Sequence, residues 1–423
     1  MDFEDDPWTQ SNRLTEAQRT MVKAEHALEE EFRSLVEGLS DLLKPLLGRY
    51  SEIGRFVEET VTSSTLADGQ SFNLVLLMGS DDLQRLPFEA LPITEPFNGK
   101  VSRDFSLSVL GNRLSDTLEG KGRISVASSS VVCMVDPYGD DPDLYKAPVL
   151  SPRLSGHDDI QVEEEAAVVS AATNSKAVKG NSRRCMSSTV SYIQQEAAVG
   201  GGKWAHVFPP ERRGGGVSVQ DWIAASTAPK RMSAPPGKGD KGAPAAAPTT
   251  AFTRAVFAYA PGKVVGTLIN PREIANLKMS DVGVLLIADL TQTDSSYRRQ
   301  LTVDSRKGPE EISLENPLIT SILFSLTGAG CVISHHWCTT PTALELFCLE
   351  FWKEFSGGKK SAVEAVAAAR NYSIPGVVDD PKATREEKQE DEIVRAPPRR
   401  QMRRWARYAK VVFGIGNAYY TAA

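Results

Sequence analysis

Four short apolar runs, continuous rather than alternating, constrain this chain more than any other feature. They are Asn73–Met78 before Gly79-Ser80-Asp81-Asp82, Ser130–Val135 before Asp136-Pro137-Tyr138-Gly139, Val282–Ala288, and Ala329–Ser334. A fifth, weaker run covers 203–208. Such runs are too short for ordinary helices and predict strands buried on both faces. Between them, apolar residues recur at three and four over 160–173, 186–199, 315–327, 341–356 and 359–370, which predicts helices. Strand–helix alternation of this kind predicts an α/β fold, one mostly parallel sheet with helices on both faces.

Composition supports a packed domain and narrows the function classes. The chain has 423 residues, 41% of them hydrophobic, enough for a substantial core. Against 48 Lys and Arg stand 54 Asp and Glu, a net charge of −6, which speaks against a nucleic-acid-binding face. No apolar run reaches the roughly 18 residues of a membrane span. The opening Met-Asp-Phe-Glu-Asp-Asp lacks the basic and apolar regions of a secretory signal. Five cysteines, at 133, 185, 331, 338 and 348, are odd in number and scattered. They describe neither a disulfide framework nor a zinc site, and a reducing cytoplasmic setting is expected. Gly200-Gly201-Gly202 and Gly214-Gly215-Gly216 lack the Lys-Ser/Thr ending of a phosphate loop, and no cofactor is expected.

The organisation read from these patterns is an N-terminal helical segment over 1–65, then one domain over 66–423. In 15–60, Leu28, Phe32, Leu35, Val36, Leu39, Leu42 and Leu43 make one apolar helix face. It suits a core-covering helical pair or a partner-binding helix. Two insertions interrupt the domain, near 212–252 and 377–403. The first contains the Pro-, Gly-, Ala- and Lys-rich stretch 226–250, which has little to bury and is expected to be loop. The second ends at a basic cluster, Arg399-Arg400-Gln401-Met402-Arg403-Arg404, read as a solvated face or as a contact for an acidic protein surface such as a microtubule.

Five marks in order resemble the CHAT family, caspase-fold relatives of separase. They are Leu86-Pro87-Phe88-Glu89-Ala90-Leu91-Pro92, Gly328-Ala329-Gly330 through Trp337, and the helix Ala343–Phe355 with Leu344, Phe347, Leu349, Phe351 and Trp352. The helix marked by Ser361-Ala362-Val363-Glu364-Ala365 and Ala369-Arg370 follows, and Trp405-Ala406 with Phe413-Gly414 closes the series. The resemblance implies a caspase-like three-layer sandwich, with Trp405 and Phe413 on the last strand. Ser102-Arg103-Asp104-Phe105-Ser106-Leu107, Asn112-Arg113-Leu114 and Val135-Asp136-Pro137-Tyr138 are further similar to the C-terminal region of cilia- and flagella-associated proteins. That implies a setting in the central apparatus of the motile axoneme, with other central-apparatus proteins as partners.

CHAT peptidases place a Cys nucleophile and a His base at the ends of neighbouring strands, since a thiol needs an adjacent imidazole to act as thiolate. On that resemblance the nucleophile position falls on Asp289, in Leu285-Leu286-Ile287-Ala288-Asp289-Leu290-Thr291. The base motif falls on Trp204-Ala205-His206-Val207-Phe208-Pro209-Pro210, with His206 at its first His and Pro210 at the catalytic one. Both departures imply a pseudo-peptidase. Cys331 reads as a small buried hydrophobe. His335, His336 and Cys338 cluster at a strand end, and the two adjacent histidines are expected to point to opposite sides, one inward and one to solvent. Three readings stay open: a non-catalytic axonemal scaffold, an active peptidase with a displaced dyad such as His206 with Cys331 or Cys338, and a regulatory binding module fused to helical repeats.

Overall fold

In the computed structural model, the described residues are 16–47, 74–97, 100–119, 124–136, 205–208, 253–261, 271–291, 316–357, 360–374, 404–415 and 418–421. A few isolated positions near 186–193, 265, 296–309 and 400–401 are also described. The chain begins with α1 (Glu16–Leu47), then β1 (Leu74–Leu77), a helical turn α2 (Asp81–Gln84), β2 (Val101–Asp104) and α3 (Leu107–Glu119). The long β3 (Ile124–Val135), β4 (Ala205–Phe208), β5 (Thr253–Tyr259), short α4 (Pro271–Ala275), β6 (Val282–Ala288), α5 (Pro317–Leu326) and β7 (Cys331–His335) follow. The C-terminal part holds α6 (Pro341–Ser356), α7 (Ala362–Arg370), the two-residue β8 (Ser373–Ile374) and β9 (Arg400–Gln401), α8 (Arg404–Arg407), β10 (Lys410–Gly414) and β11 (Ala418–Thr421).

Nine of these strands form one sheet, in the order β1-β2-β10-β7-β6-β5-β3-β11, with β4 also paired to β3. Every pairing is parallel except β10 against β7. The five apolar runs all enter this sheet, and β6 and β7 are neighbours, in the register Leu285↔Val332 and Leu286↔Ile333. β8 and β9 make a separate antiparallel pair at the base of the 377–403 insertion.

Alternation along the strands divides the interior into two cores, as the pleat requires. Cys133, Phe257, Leu286, Ile333 and Val412 share one core with Phe32 of α1, Phe347, Phe351 and Trp352 of α6, and Val363 and Val366 of α7. Val132, Val256, Leu285, Val332 and Phe413 share the other with Ile274 of α4 and Leu318 and Phe324 of α5. The result is the three-layer α/β sandwich expected from the sequence. Three of the helices, α5, α6 and α7, start on caps that the sequence encodes. Asn316 accepts from Leu318 N–H before Pro317, and Thr340 accepts from Ala343 N–H before Pro341. Ser361 and Glu364 form a capping box at α7.

Four expectations need correction or fall elsewhere. Trp405 lies in α8, not on a strand, and the strand carrying Phe413 is followed by β11; Phe413 itself pairs with Val332 as an interior strand residue. β5 was not among the expected strands, although Ala255 through Tyr259 are fully buried. The apolar stripe of α1 is only half covered: Phe32, Val36 and Leu39 are buried, whereas Leu28, Leu35 and Leu42 are exposed. The buried half of α1 joins the same core as the sheet, in keeping with a core-covering helix. The expected helix over 160–173, most of 186–199 and the stretch 226–250 lie outside the described residues.

Candidate functional site

Ligand and catalytic groups in open parallel sheets collect where strands end at their carboxyl side. Here β5, β6 and β7 end side by side, and the turns after them carry Ala260-Pro261, Asp289-Leu290-Thr291 and His336 to Thr340. Just beyond the strands, Thr291 and Thr339 meet in an isolated parallel bridge. Thr339 N–H donates to the Leu290 carbonyl at 2.9 Å, which ties the β7 end to the β6 end.

Asp289 sits inside this junction, 1% exposed. Its Oδ2 accepts from Val265 N–H at 2.9 Å. Its Oδ1 has no hydrogen-bond partner and lies 3.9 Å from His335 Nδ1, beyond hydrogen-bonding distance. Burial pushes the carboxyl up to about 7, and the backbone N–H groups around it only partly oppose this. His335 is also enclosed, and among the described residues neither ring nitrogen has a partner in hydrogen-bond geometry. Burial drives its pKa well below the usual imidazole value, helped by the charge of Lys410 on β10. At neutral pH the pair is therefore a partly protonated acid beside a neutral imidazole, the reverse of a thiolate–imidazolium dyad.

The thiols do not supply what Asp289 lacks. Cys133, Cys331 and Cys348 are buried, and burial pushes each up to about 12. Cys338 is the exposed one of the described cysteines; its thiol is raised by partial burial and by the neighbouring Asp289 charge. A thiol so shifted is protonated at neutral pH and a poor nucleophile.

The positions assigned to the base motif do not meet Asp289. His206 lies on β4, which pairs with β3, while β6 pairs with β5 and β7. β3 and β5 stand between, so three strand spacings, about 14 Å, separate β4 from β6. The neighbouring-strand relation expected between His206 and Asp289 is therefore absent. Of the two strands beside β6, β5 ends in Tyr259-Ala260-Pro261 and carries no imidazole, and β7 brings His335, not His206. Pro210 and the side chain of His206 lie outside the described residues. The expected split of His335 and His336 into inward and solvent-facing rings is also corrected. His336 is half-buried, with Nε2 enclosed and its ring stacked on Phe413 at 5.7 Å. Burial brings His336 down to about 3.

A second polar cluster, not foreseen as a unit, lies under the sheet's other half. Arg103 on β2 is fully buried and forks onto Glu89, with Nε–Oε1 at 2.7 Å and a second contact from Nη2 to Oε2. The same guanidinium donates to the Gln84 and Leu86 carbonyls. Burial alone would raise the Glu89 carboxyl; the Arg103 charge and hydrogen bond overcome it and hold the group below its usual value. Next to Arg103, Asp104 pairs with Arg113 of α3 at 3.2 Å. Leu86–Pro92 and Ser102–Leu107 are thus two halves of one arrangement, in which the turn's carboxylate answers the strand's guanidinium. The signal available beforehand was a charged Ser-Arg-Asp run closed by apolar residues. Lys410 adds a buried amine, 4.9 Å from the Phe347 ring centroid, lowered by burial to about 7. Among the described residues no group of three or more His, Cys, Asp and Glu is placed to hold a metal ion, and no helix is long and apolar enough to cross a membrane.

The sequence matches no protein-family profile and no curated protein. Among solved structures, it is similar to a crystal structure of the Saccharomyces cerevisiae separase–securin complex at 2.6 Å resolution, with a TM-score of 0.43 and 12% identity. That match covers 83% of this chain and 16% of the matched chain. A second structure of the same complex, at 3.0 Å, gives 0.39 and 13%, covering 86% of this chain and 17% of the other. The chain therefore spans well under two thirds of the length of either.

Proposed function

We propose that this chain is a catalytically silent, caspase-like domain of the CHAT type that works as a rigid scaffold. The observation that carries the reading is Asp289: a buried carboxyl, up at about 7, occupies the strand end where the family resemblance puts a nucleophilic thiol. A carboxylate so enclosed cannot deliver a thiolate's attack on a peptide bond, and the neighbouring strand β5 brings no base. The polar groups beside it, His335 and Cys338, are held neutral rather than activated.

Within that reading we place the domain in the central apparatus of the motile axoneme, in the cytoplasmic cytoskeleton of the cilium. Other central-apparatus proteins would be its neighbours, with microtubules as the acidic surface for the basic cluster at 399–404. Support for this part comes from the sequence marks Ser102–Leu107, Asn112-Arg113-Leu114 and Val135–Tyr138. No nucleic acid, membrane or cofactor enters the proposal.

The competing reading is a cysteine peptidase with a displaced dyad, and Cys338 at the mouth of the β6–β7 junction is the thiol it would use. Incubation with a thiol-directed peptidase probe separates the two. The scaffold reading expects no selective labelling; rapid labelling of Cys338 that is lost in His335→Gln would overturn it. An endogenously tagged copy in a flagellate tests the setting: signal confined to extracted axonemes is expected, and a purely soluble cytosolic signal would remove the ciliary assignment.

A further inference from the structure

The junction between β6 and β7 gathers more unanswered polar atoms than a structural core tolerates. Asp289 Oδ1, both nitrogens of His335, and the hydroxyls of Thr291 and Thr339 are buried without a hydrogen-bond partner among the described residues. All four residues belong to the two strand ends that the Thr291–Thr339 bridge ties together. Buried polar groups are nearly always paired, so a cluster of orphans at one junction marks a place with two arrangements rather than one.

We propose that Asp289 and His335 form a proton-operated latch on the ends of β6 and β7. With its proton in place, the Asp289 Oδ1–H donates to His335 Nδ1 once the side chains close the 3.9 Å gap. The Ile287 carbonyl lies near the ring, outside hydrogen-bond geometry as it stands, and favours an N–H facing it. The two strand ends are then held together by a neutral acid–imidazole contact. When Asp289 passes its proton to a base in solvent, the acid becomes a buried anion, and the hydrogen bond it donated is lost.

Among the described residues no cation stands ready to accept that anion. Asp289 faces Val265 N–H from the segment after β5, its own turn's backbone, and His335 and Cys338 from the β7 side. His335 cannot take the proton and become the counter-ion, because burial above all, and then the charge of Lys410 from β10, disfavour its charged form. On the α6 side, Cys348 interacts with Lys410 and with Glu345. The ionised carboxylate is relieved by admitting water, which the Thr291 and Thr339 hydroxyls can also bind. That opens the bridge and frees the turns around Leu290 and Trp337. Burial of Asp289 puts the change near neutral pH. The inference stands whether or not the domain resides in a cilium.

The test is a pH titration of the full chain, deuterated and 15N-labelled, followed by the backbone amide resonances between about pH 5.5 and about pH 8.5, the range that brackets a near-neutral carboxyl. The Thr291 and Thr339 amides should move together with one midpoint near neutrality, while the Val256 amide in the interior of β5 stays still. Asp289→Asn, which keeps the shape and cannot titrate, should hold both amides fixed across the range. Thr291 and Thr339 amides that do not move in the native chain overturn the latch, as does the same titration persisting in Asp289→Asn. If Asp289→Asn does not fold, His335→Phe gives the second reading: with the acceptor gone, the Thr291 and Thr339 amides should no longer titrate as a pair, and an unchanged paired titration overturns the proposal.

Discussion

Arg103 holds Glu89 in the interior by two parallel hydrogen bonds, one of them 2.7 Å from Nε to Oε1, with both side chains wholly out of solvent. This contact joins the turn over Leu86–Pro92 to β2 and so fixes the strand that separates β1 from β10. Removing one partner leaves a buried charge uncompensated, which costs about 3–5 kcal/mol. Glu89→Ala or Arg103→Ala should each lower the unfolding free energy by that order. The double variant Glu89→Leu with Arg103→Met should be less destabilised than the sum of the two singles. Urea unfolding of the four proteins checks this; additive losses would mean that the pair does not act as a unit.

Gly414 closes β10 with φ at +94°, in the left-handed region that side chains avoid. A Cβ there would fall on the Arg113 guanidinium and on the Gly330 carbonyl. Gly414→Ala should therefore destabilise by about 2–4 kcal/mol, from backbone strain together with the clash. Gly38 of α1, where an added Cβ meets nothing within 4 Å, is the control. Gly38→Ala should raise stability by roughly 0.5–1 kcal/mol through helix propensity. Thermal melts of the two variants should move in opposite directions.

Asp289 gives a pH dependence whose sign follows from its environment. Its carboxyl is raised from 3.8 to about 7 in the folded chain, so the folded state holds the proton more tightly than the unfolded one. Stability is then highest at the acidic side of that window, falls as pH rises through it, and bears the whole penalty above about 7. Asp289→Asn removes the penalty. It should be more stable than the native chain near pH 8, by up to the order of 4 kcal/mol, with the gap closing as pH falls toward about 4. Denaturant midpoints at three pH values check the trend, and a gap that widens on acidification would contradict it.

Phe32 and Leu35 of α1 test which half of the helix's apolar stripe holds the domain together. Phe32 is buried, with its ring 5.9 Å from that of Trp337. Leu35 is 49% exposed. Phe32→Ala should cost about 3–5 kcal/mol, as large core truncations do. Leu35→Ser should change stability by no more than about 0.5 kcal/mol. Equal losses in urea melts would show that Leu35 is covered in solution.

How much of this was legible beforehand depended on whether a residue's neighbours were local. β6 could be read directly, because a strand buried on both faces must be apolar at every position, and Val282–Ala288 is. α6 and α7 were equally plain, since Thr340-Pro341 and the Ser361–Glu364 box are starting signals written within four residues. Asp289, the residue that follows this run, was singled out by the family resemblance rather than by the pattern itself. What sequence could not give was adjacency across the sheet. β5 and β4 are both apolar and short, and only the tertiary order puts β5 beside β6 and sends His206 to the far side of β3. Likewise Ser-Arg-Asp reads as a solvent-facing strand until Glu89 and Arg113 arrive to neutralise it from other elements. The apolar stripe of α1 was visible, but which half met the core was decided by α8 and Trp337. Local chemistry sets which elements form. Whether a charge is tolerable inside, or a histidine is near an acid, is set by contacts between residues distant in the chain, and those exist only once the sheet has closed its order.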